Sequence, residues 1–318
     1  MARVLVTRRL PGGLDLLGET GHEVIEPEGD RPFTHDEMVE QASGVDAIVC
    51  LLTDQIDAAV LAAGSPRLKV IATVAVGYDN IDLDTAAAHG IAVTNTPGVL
   101  DDTTADLAFL LILAAARRIW EAESDLRVGK WPGWDIDQYL GRDVHGAVLG
   151  VVGFGRIGQA VARRATGFGM EVLHHTRRDT GMVGWRGDLD RLLAESDIVT
   201  LHVPLNTTTR HMIGAHELAS MKPEAIIVNT SRGPVIDEAA LARALADNKL
   251  FGAGLDVFDQ EPPPPDNPLL ALKNVVLTSH FAGPTWDNQI ARLRNAYDNV
   301  QRVARGEPPL WVVPELMG

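Results

Sequence analysis

Three short polar segments of the sequence each follow an apolar stretch that is predicted to be a β-strand. They cover residues 229–233, 256–262 and 279–283, and they contain an arginine, several carboxylates and a histidine. Ligands of open α/β sheets bind at the carboxyl ends of parallel strands. The spacing therefore predicts that these charged side chains meet at a ligand site.

A glycine motif lies upstream of these segments, in the order Gly153-Phe154-Gly155-Arg156-Ile157-Gly158. An apolar strand precedes this G-x-G-x-x-G pattern and an apolar-periodic helix follows it. Gly153 would allow the tight turn, Gly155 would let the backbone approach a pyrophosphate, and Gly158 would let helix and strand pack closely. The pyrophosphate would lie at the helix N-terminus, where free N–H groups favour negative charge. The motif predicts a dinucleotide site.

The end of the next predicted strand indicates which dinucleotide is preferred. Sites selective for NAD carry Asp or Glu about 20 residues after the glycines, to bind the ribose 2′-hydroxyl. Here the strand ends in Thr176, Arg177 and Arg178. Arginine is a bidentate partner for a 2′-phosphate, and a carboxylate would repel it. We therefore predict NADP as the cofactor, with NAD as the alternative.

Composition limits the kinds of partner. The chain has 318 residues, 46% of them hydrophobic, and a formal charge of −15. Such an acidic protein binds nucleic acid and anionic membranes poorly, so an anionic substrate would need arginines concentrated in a pocket. The single cysteine, Cys50, is predicted to be a small buried hydrophobe. We expect no metal ligand, no secretion signal in the first 11 residues, no membrane span, and a cytoplasmic location.

Strand and helix patterns alternate along the chain, which predicts parallel sheets with helices on both faces. In the N-terminal part we predict a helix over residues 12–20 and strands over 3–7, 22–25, 47–51, 68–72 and 91–95. A long connecting helix is predicted over residues 100–128, capped by Asp101 or Asp102. Further along, strands are predicted over 147–152, 171–175, 198–202, 225–229, 252–257 and 275–278, and helices over 157–168, 188–195, 238–247 and 286–305. The last helix has an apolar face made of Ile290, Leu293, Ala296, Tyr297, Val300 and Val303.

These elements predict an α/β protein with two doubly wound domains. Residues 100–284 would form a Rossmann NAD(P)-binding domain. Residues 1–99 and 285–318 would form a smaller, discontinuous, flavodoxin-like substrate domain.

The chain resembles the D-isomer-specific 2-hydroxyacid dehydrogenases over nearly its whole length. The resemblance covers residues 6–11 and 76–82, the glycine motif and the three strand-end segments. It implies that Arg232, Glu261 and His280 form the catalytic triad. His280 would donate a proton to the alkoxide that forms, Glu261 would favour and orient the imidazolium, and Arg232 would hold the substrate carboxylate and polarise the carbonyl.

The same resemblance implies a wider set of binding residues. The substrate would contact Val76, Gly77, Arg232, His280 and Trp134, with backbone N–H groups of Val76 and Gly77 on its carboxylate. Asp256 would hold the nicotinamide carboxamide. The implied cofactor contacts are Thr104, Gly153, Gly155, Arg156, Ile157, Gly158, Thr176, Arg177, Arg178, Val203, Pro204, Thr209, Thr230, Ser231, Asp256, His280 and Gly283.

Sequence details narrow the substrate class. Trp131, Trp134 and residues 51–54 resemble the glyoxylate and hydroxypyruvate reductase branch, in which a tryptophan reaches the partner subunit and which implies a homodimer. Phosphite dehydrogenases have lysine where this chain has Val76. The histidine segment departs from the family's Pro-His-Ile-Gly-Ser at Phe281 and Pro284. We expect these departures to change the substrate preference rather than the chemistry.

Three alternatives remain open. The chain could be a dehydrogenase for a bulkier 2-hydroxy acid. It could be an NAD(H)-sensing corepressor, since corepressors of this family keep the triad. It could also be a pseudoenzyme that binds cofactor without turnover.

Overall fold

The structure is a computed structural model that describes residues 1–10 and 21–317. Its contacts divide the chain into two compact units. Unit 1 comprises Met1–Leu100 and Pro284–Gly318, and unit 2 comprises Asp101–Gly283. The helix predicted over residues 12–20 lies outside the described residues.

The described strands are β1 (Arg3–Val6), β2 (Glu23–Ile25), β3 (Ala47–Cys50), β4 (Val70–Thr73), β5 (Ala92–Thr94), β6 (Val148–Val152), β7 (Glu171–His175), β8 (Ile198–Leu201), β9 (Ile226–Asn229), β10 (Gly252–Leu255) and β11 (Val275–Leu277). The described α-helices are α1 (His35–Ala42), α2 (Ala58–Gly64), α3 (Leu83–Ala88), α4 (Asp101–Ala116), α5 (Ile119–Arg127), α6 (Arg156–Thr166), α7 (Leu189–Glu195), α8 (Ala215–Ser220), α9 (Glu238–Ala246) and α10 (Trp286–Ala304). None of these helices is long and apolar enough to cross a membrane.

Unit 1 is built on a five-stranded sheet in the order β2-β1-β3-β4-β5, with every neighbouring pair parallel. This is the flavodoxin-like order, which reverses direction next to β1. β3 and β4 are buried along their whole length, as strands covered on both faces must be. Cys50 ends β3 in this core, and burial raises the pKa of its thiol, which confirms that it is a buried small residue.

Helix α10 covers one face of the unit 1 sheet, and it packs chiefly on β4 and also on β3. Thr285 caps its N-terminus by accepting a hydrogen bond from the Asn288 N–H. Four of the six predicted apolar positions are buried: Leu293, Ala296, Tyr297 and Val300. The prediction is wrong for Ile290, which is 38% exposed.

Unit 2 contains a six-stranded parallel sheet in the order β11-β10-β9-β8-β6-β7. The chain leaves β6 for β7 on one side and returns to β8 on the other, so the order reverses next to β6, directly before the glycine motif. This confirms the predicted doubly wound Rossmann-type fold. Helix α4 packs on β9 and β10, where a Cβ on Gly254 would lie 2.8 Å from Leu111.

The single long helix predicted over residues 100–128 is wrong, because the structure has two helices there. α4 ends at Ala116, and Arg118 takes left-handed dihedral angles of 51° and 37°. The Ala116 carbonyl accepts a hydrogen bond from the Arg142 N–H at 2.8 Å, instead of from the next turn of a continuous helix. Asp101 and Asp102 lie in the first turn of α4 rather than before it, where their charges favour the helix dipole.

Candidate active site

The glycine motif of unit 2 forms a tight turn from β6 into α6. Gly153 has a φ of 91°, and a Cβ on it would lie 2.5 Å from the His202 carbonyl oxygen. A Cβ on Gly158 would lie 2.2 Å from the carbonyl oxygen of Gly153. Gly155 differs, since it is exposed and no described residue comes within 4 Å of the position of a Cβ there. Two glycines thus serve packing within the chain, and Gly155 leaves its backbone open to a ligand.

This arrangement fits a dinucleotide. The first N–H groups of the eleven-residue α6 follow Gly155, and no side chain caps them. Free N–H groups at a helix N-terminus bind a pyrophosphate well. Arg156 is exposed and Ile157 partly buried at the start of this helix.

The end of β7 carries the predicted basic segment. Arg177 and Arg178 are exposed, and neither forms an ion pair with any residue in the described part of the chain. The Thr176 hydroxyl donates to the Arg178 carbonyl at 2.7 Å, which fixes the turn. His174, which the sequence analysis did not single out, is buried and stacks on Phe154 with ring centroids 3.9 Å apart. This stack ties the glycine turn to β7.

The segment after β8 is held by hydrogen bonds among its own residues. The Thr209 hydroxyl donates to the Pro204 carbonyl at 2.6 Å and accepts from the Asn206 N–H at 2.9 Å. Its side chain therefore has a structural role in this loop. Val203 lies beside the glycine turn, where its side chain would be 2.9 Å from a Cβ on Gly153.

The three strand-end segments follow β9, β10 and β11, which are neighbours in the sheet. Asn229 organises the first segment: its side chain accepts from the Ser231 N–H and hydroxyl and donates to the Arg232 carbonyl. A Cβ on Gly233 would lie 1.9 Å from the carbonyl carbon of Phe258, so the loops after β9 and β10 touch at their backbones. Thr230 is buried, and its hydroxyl has no hydrogen-bond partner in the described structure.

Glu261 and His280 form the central pair. The His280 Nδ1 lies 2.6 Å from Glu261 Oε2, and the Phe258 N–H donates to Oε1 at 3.0 Å. Burial opposes ionisation of Glu261, but the hydrogen bonds from His280 and Phe258 outweigh it and hold the pKa of the carboxyl below its usual value. The positive charge of Arg232 acts on Glu261 in the same direction. The arginine, the carboxylate and the imidazole are thus brought together, as the sequence predicts for strand ends.

The buried carboxylate of Asp256 supports the histidine loop. It accepts hydrogen bonds from the Thr278 hydroxyl at 2.6 Å, the Phe281 N–H at 3.1 Å and the Ala282 N–H at 3.0 Å. Its own carbonyl accepts from the His280 N–H at 2.8 Å. The family resemblance assigns Asp256 to the nicotinamide carboxamide but does not indicate these contacts within the chain.

Other predicted residues lie near this loop in unit 2. The Gly283 carbonyl accepts from the Thr103 hydroxyl at 2.9 Å, and Thr104, next to it, is buried. Trp131 and Trp134 are instead on the surface, 48% and 82% exposed.

Unit 1 has a polar edge of its own after β4. Among the described residues, the N–H groups of Val76 and Gly77, which follow β4, donate to no protein acceptor. The Val76 carbonyl accepts from the Asn95 side chain at 2.8 Å, which fixes the segment. The two N–H groups remain available to an anion.

The glycine geometry makes a testable prediction. Gly155→Ala should fold normally, because the added methyl meets no described atom, but should weaken binding of NADP(H) at least about tenfold by obstructing the phosphate approach. Gly158→Ala should instead lower the free energy of unfolding by roughly 1–3 kcal/mol through overpacking. Fluorescence titration with NADPH and thermal unfolding measure the two effects. Unchanged NADPH affinity in Gly155→Ala would contradict the assignment.

Comparison with known proteins agrees with the fold. Residues 109–282 match the family model for the NAD binding domain of D-isomer specific 2-hydroxyacid dehydrogenases. The chain is 48% identical over 316 residues to a glyoxylate reductase of Korarchaeum cryptofilum, covering 96% of this chain and 94% of that protein. It is 44% identical over 317 residues to a glyoxylate reductase of Thermococcus litoralis, covering 96% and 95%.

Solved structures agree as well. The TT0316 protein from Thermus thermophilus matches with a TM-score of 0.92 and 43% identity, over 98% of this chain and 99% of that one. An NADPH-dependent glyoxylate/hydroxypyruvate reductase from Sinorhizobium meliloti, in complex with NADP and malonate, matches with a TM-score of 0.88 and 32% identity, over 99% and 97%. This chain therefore belongs to the D-isomer specific 2-hydroxyacid dehydrogenases, and it is an NAD(P)-dependent oxidoreductase.

Proposed function

We propose that this protein reduces a small 2-keto acid of the glyoxylate and hydroxypyruvate class to the D-2-hydroxy acid. The observation that carries the proposal is the 2.6 Å contact between His280 and Glu261 at the end of β11, within the field of Arg232. The most similar relatives reported above are glyoxylate reductases, which supports the substrate class.

The side chains divide the chemistry between them. NADPH, when bound, would supply the hydride for the keto carbon. His280 presents Nδ1 to Glu261, so Nε2 is the ring nitrogen that would deliver a proton to the developing alkoxide. Glu261 stabilises the charged imidazolium and fixes its orientation. Arg232 would bind the substrate carboxylate and polarise the carbonyl.

Replacing the acid and its partner tests this mechanism. His280→Ala should lower kcat for glyoxylate reduction by about 10²–10⁴-fold, because the general acid is lost. Glu261→Gln should cause a smaller loss, because the imidazolium loses its anionic partner. Steady-state NADPH oxidation with glyoxylate measures both.

The control for this experiment is His216→Ala, an exposed histidine on α8 whose removal should leave kcat unchanged. NADPH titration should show that His280→Ala still binds cofactor. A His280→Ala enzyme with the wild-type rate would refute the mechanism. A wild-type chain that binds NADPH without any turnover would favour the corepressor or pseudoenzyme alternative.

We infer that the cofactor is NADP rather than NAD. The exposed and unneutralised guanidinium groups of Arg177 and Arg178 follow β7, where NAD-selective sites place a carboxylate. The nearest acidic residue in the sequence, Asp179, accepts the Gly181 N–H at 2.8 Å within its own turn. The fixed turn at Thr176 presents both arginines together.

A cofactor panel tests this preference. Arg177→Gln and Arg178→Gln should each lower kcat/KM for NADPH by roughly 10- to 100-fold, since charge-assisted hydrogen bonds contribute about 1.5–3 kcal/mol, and should change kcat/KM for NADH little. Arg305→Gln, at the C-cap of α10, is the matched control. Wild-type enzyme that uses NADH better than NADPH would overturn the inference.

We further propose a homodimer. Apolar side chains are exposed along the end of α4, along α5 and over residues 128–140, and α5 buries none of its residues. They include Leu110, Ile119, Trp120, Leu126, Val128, Trp131, Trp134, Ile136 and Leu140, each at least 48% exposed. A monomer rarely exposes so much apolar surface in one region, and a second copy of the chain would cover it.

Charged substitutions on α5 test the dimer. The double variant Trp120→Glu, Leu126→Glu should sediment as a monomer in analytical ultracentrifugation, because two charges would be buried without partners. Leu270→Glu, which places the same charge at a 44% exposed position elsewhere in unit 2, should not change the sedimentation. A wild-type chain that sediments as a monomer would refute the proposal.

A further inference from the structure

The two exposed arginines after β7 belong to a loop, residues 176–183, that we call the basic loop. After this loop, residues 184–186 return along the outer edge of β7 and form a short parallel bridge with it. The His174 N–H donates to the Gly184 carbonyl at 2.9 Å, and the Arg186 N–H donates to the His174 carbonyl at 2.7 Å. Both arms of the basic loop are therefore fixed to the same strand of unit 2.

Trp185 closes the base of the basic loop. Its indole Nε1 donates to the Thr176 carbonyl at 3.3 Å, so the return segment is joined to the first residue of the loop. A second bond crosses between the arms, because His175 Nδ1 donates to the Arg186 carbonyl at 2.9 Å. Both bonds are made immediately before the two arginines in the chain. The backbone that carries the arginines is therefore held at its start by side chains.

The return segment that carries Trp185 is itself anchored on both sides. Gly184 has a φ of 90°, and a Cβ on it would lie 2.3 Å from the Val172 carbonyl oxygen, so glycine allows the chain to approach β7 this closely. Arg186 Nε donates to Glu195 Oε2 at 2.7 Å, at the end of α7. These contacts give the partly buried indole a fixed base from which to bind the basic loop.

We infer that Trp185 is a positioning residue for NADP specificity, which holds the basic loop so that Arg177 and Arg178 meet the 2′-phosphate. The inference rests on the proposed preference for NADP. In the described part of the chain neither arginine is paired with a carboxylate, so their direction depends on the loop backbone. A loop that is already ordered loses less conformational entropy when its ligand binds. Trp185 acts through this loop, so its effect is confined to the 2′-phosphate.

Trp185→Phe is the decisive variant, because it removes the Nε1 donor and keeps an aromatic ring. Its kcat/KM for NADPH should fall roughly three- to tenfold, the effect of one neutral hydrogen bond, and its kcat/KM for NADH should change less than about twofold. Gly187→Ala tests the same contact independently, since a Cβ there would lie 2.8 Å from the Trp185 ring and displace it. It should show the same selective loss. Trp286→Phe, at a 91% exposed position on α10, should match wild type with both cofactors.

A binding measurement separates the 2′-phosphate from the rest of the cofactor. Adenosine 2′,5′-bisphosphate should bind Trp185→Phe more weakly than wild type by the same factor as the loss in kcat/KM, and 5′-AMP should bind both proteins equally. Isothermal titration calorimetry measures both affinities without turnover.

The outcomes distinguish the inference from the proposal on which it rests. A Trp185→Phe enzyme that keeps the full preference for NADPH would overturn the inference and leave the cofactor proposal intact. Equal losses with NADPH and NADH, or equal weakening of both adenosine nucleotides, would also overturn it, because the indole would then serve only the general stability of the domain. A wild-type enzyme without a preference for NADPH would refute the proposed cofactor and the inference together.

Discussion

The hydrogen bonds to the buried carboxylate of Asp256 are the interaction on which the geometry of the candidate site depends. It lies at the end of β10 and binds three donors of the loop that follows β11, while its carbonyl binds the His280 N–H. A buried carboxylate is stable only when donors satisfy its oxygens. The loop is thus held to the neighbouring strand from both sides of His280, and the imidazole meets Glu261.

That support matters because His280 has an unfavourable backbone conformation. Its φ is 53°, a left-handed value that costs a non-glycine residue about 1–2 kcal/mol. Residues held in this way occur where surrounding hydrogen bonds impose the conformation, often at functional sites. The Asp256 hydrogen bonds to Phe281 and Ala282 supply that constraint directly after the histidine. The imidazole orientation is therefore fixed by backbone contacts as well as by the Glu261 pair.

The sequence predicts well what depends on local patterns. Buried parallel strands are short apolar runs in the sequence. All eleven described strands therefore begin and end within two residues of their predicted positions. Strand ends in turn predict that Arg232, Glu261 and His280 converge. Features that depend on residues distant in the sequence are not revealed by it. Helix α4 ends where the Ala116 carbonyl accepts a hydrogen bond from the Arg142 N–H. The Asp256 carboxylate accepts hydrogen bonds from donors 22 to 26 residues away.

The chain is acidic overall, and its arginines differ in whether a carboxylate neutralises them. Many arginines are neutralised at the surface, as in the pairs Arg3–Glu23 and Arg67–Asp46, and such pairs contribute little to stability. In a chain with a net charge of −15, a cation left unneutralised is more informative than its paired neighbours. Arg177 and Arg178 stay exposed, where a doubly charged phosphate can approach through solvent. The two arginines that carry the proposed NADP preference are such unneutralised cations.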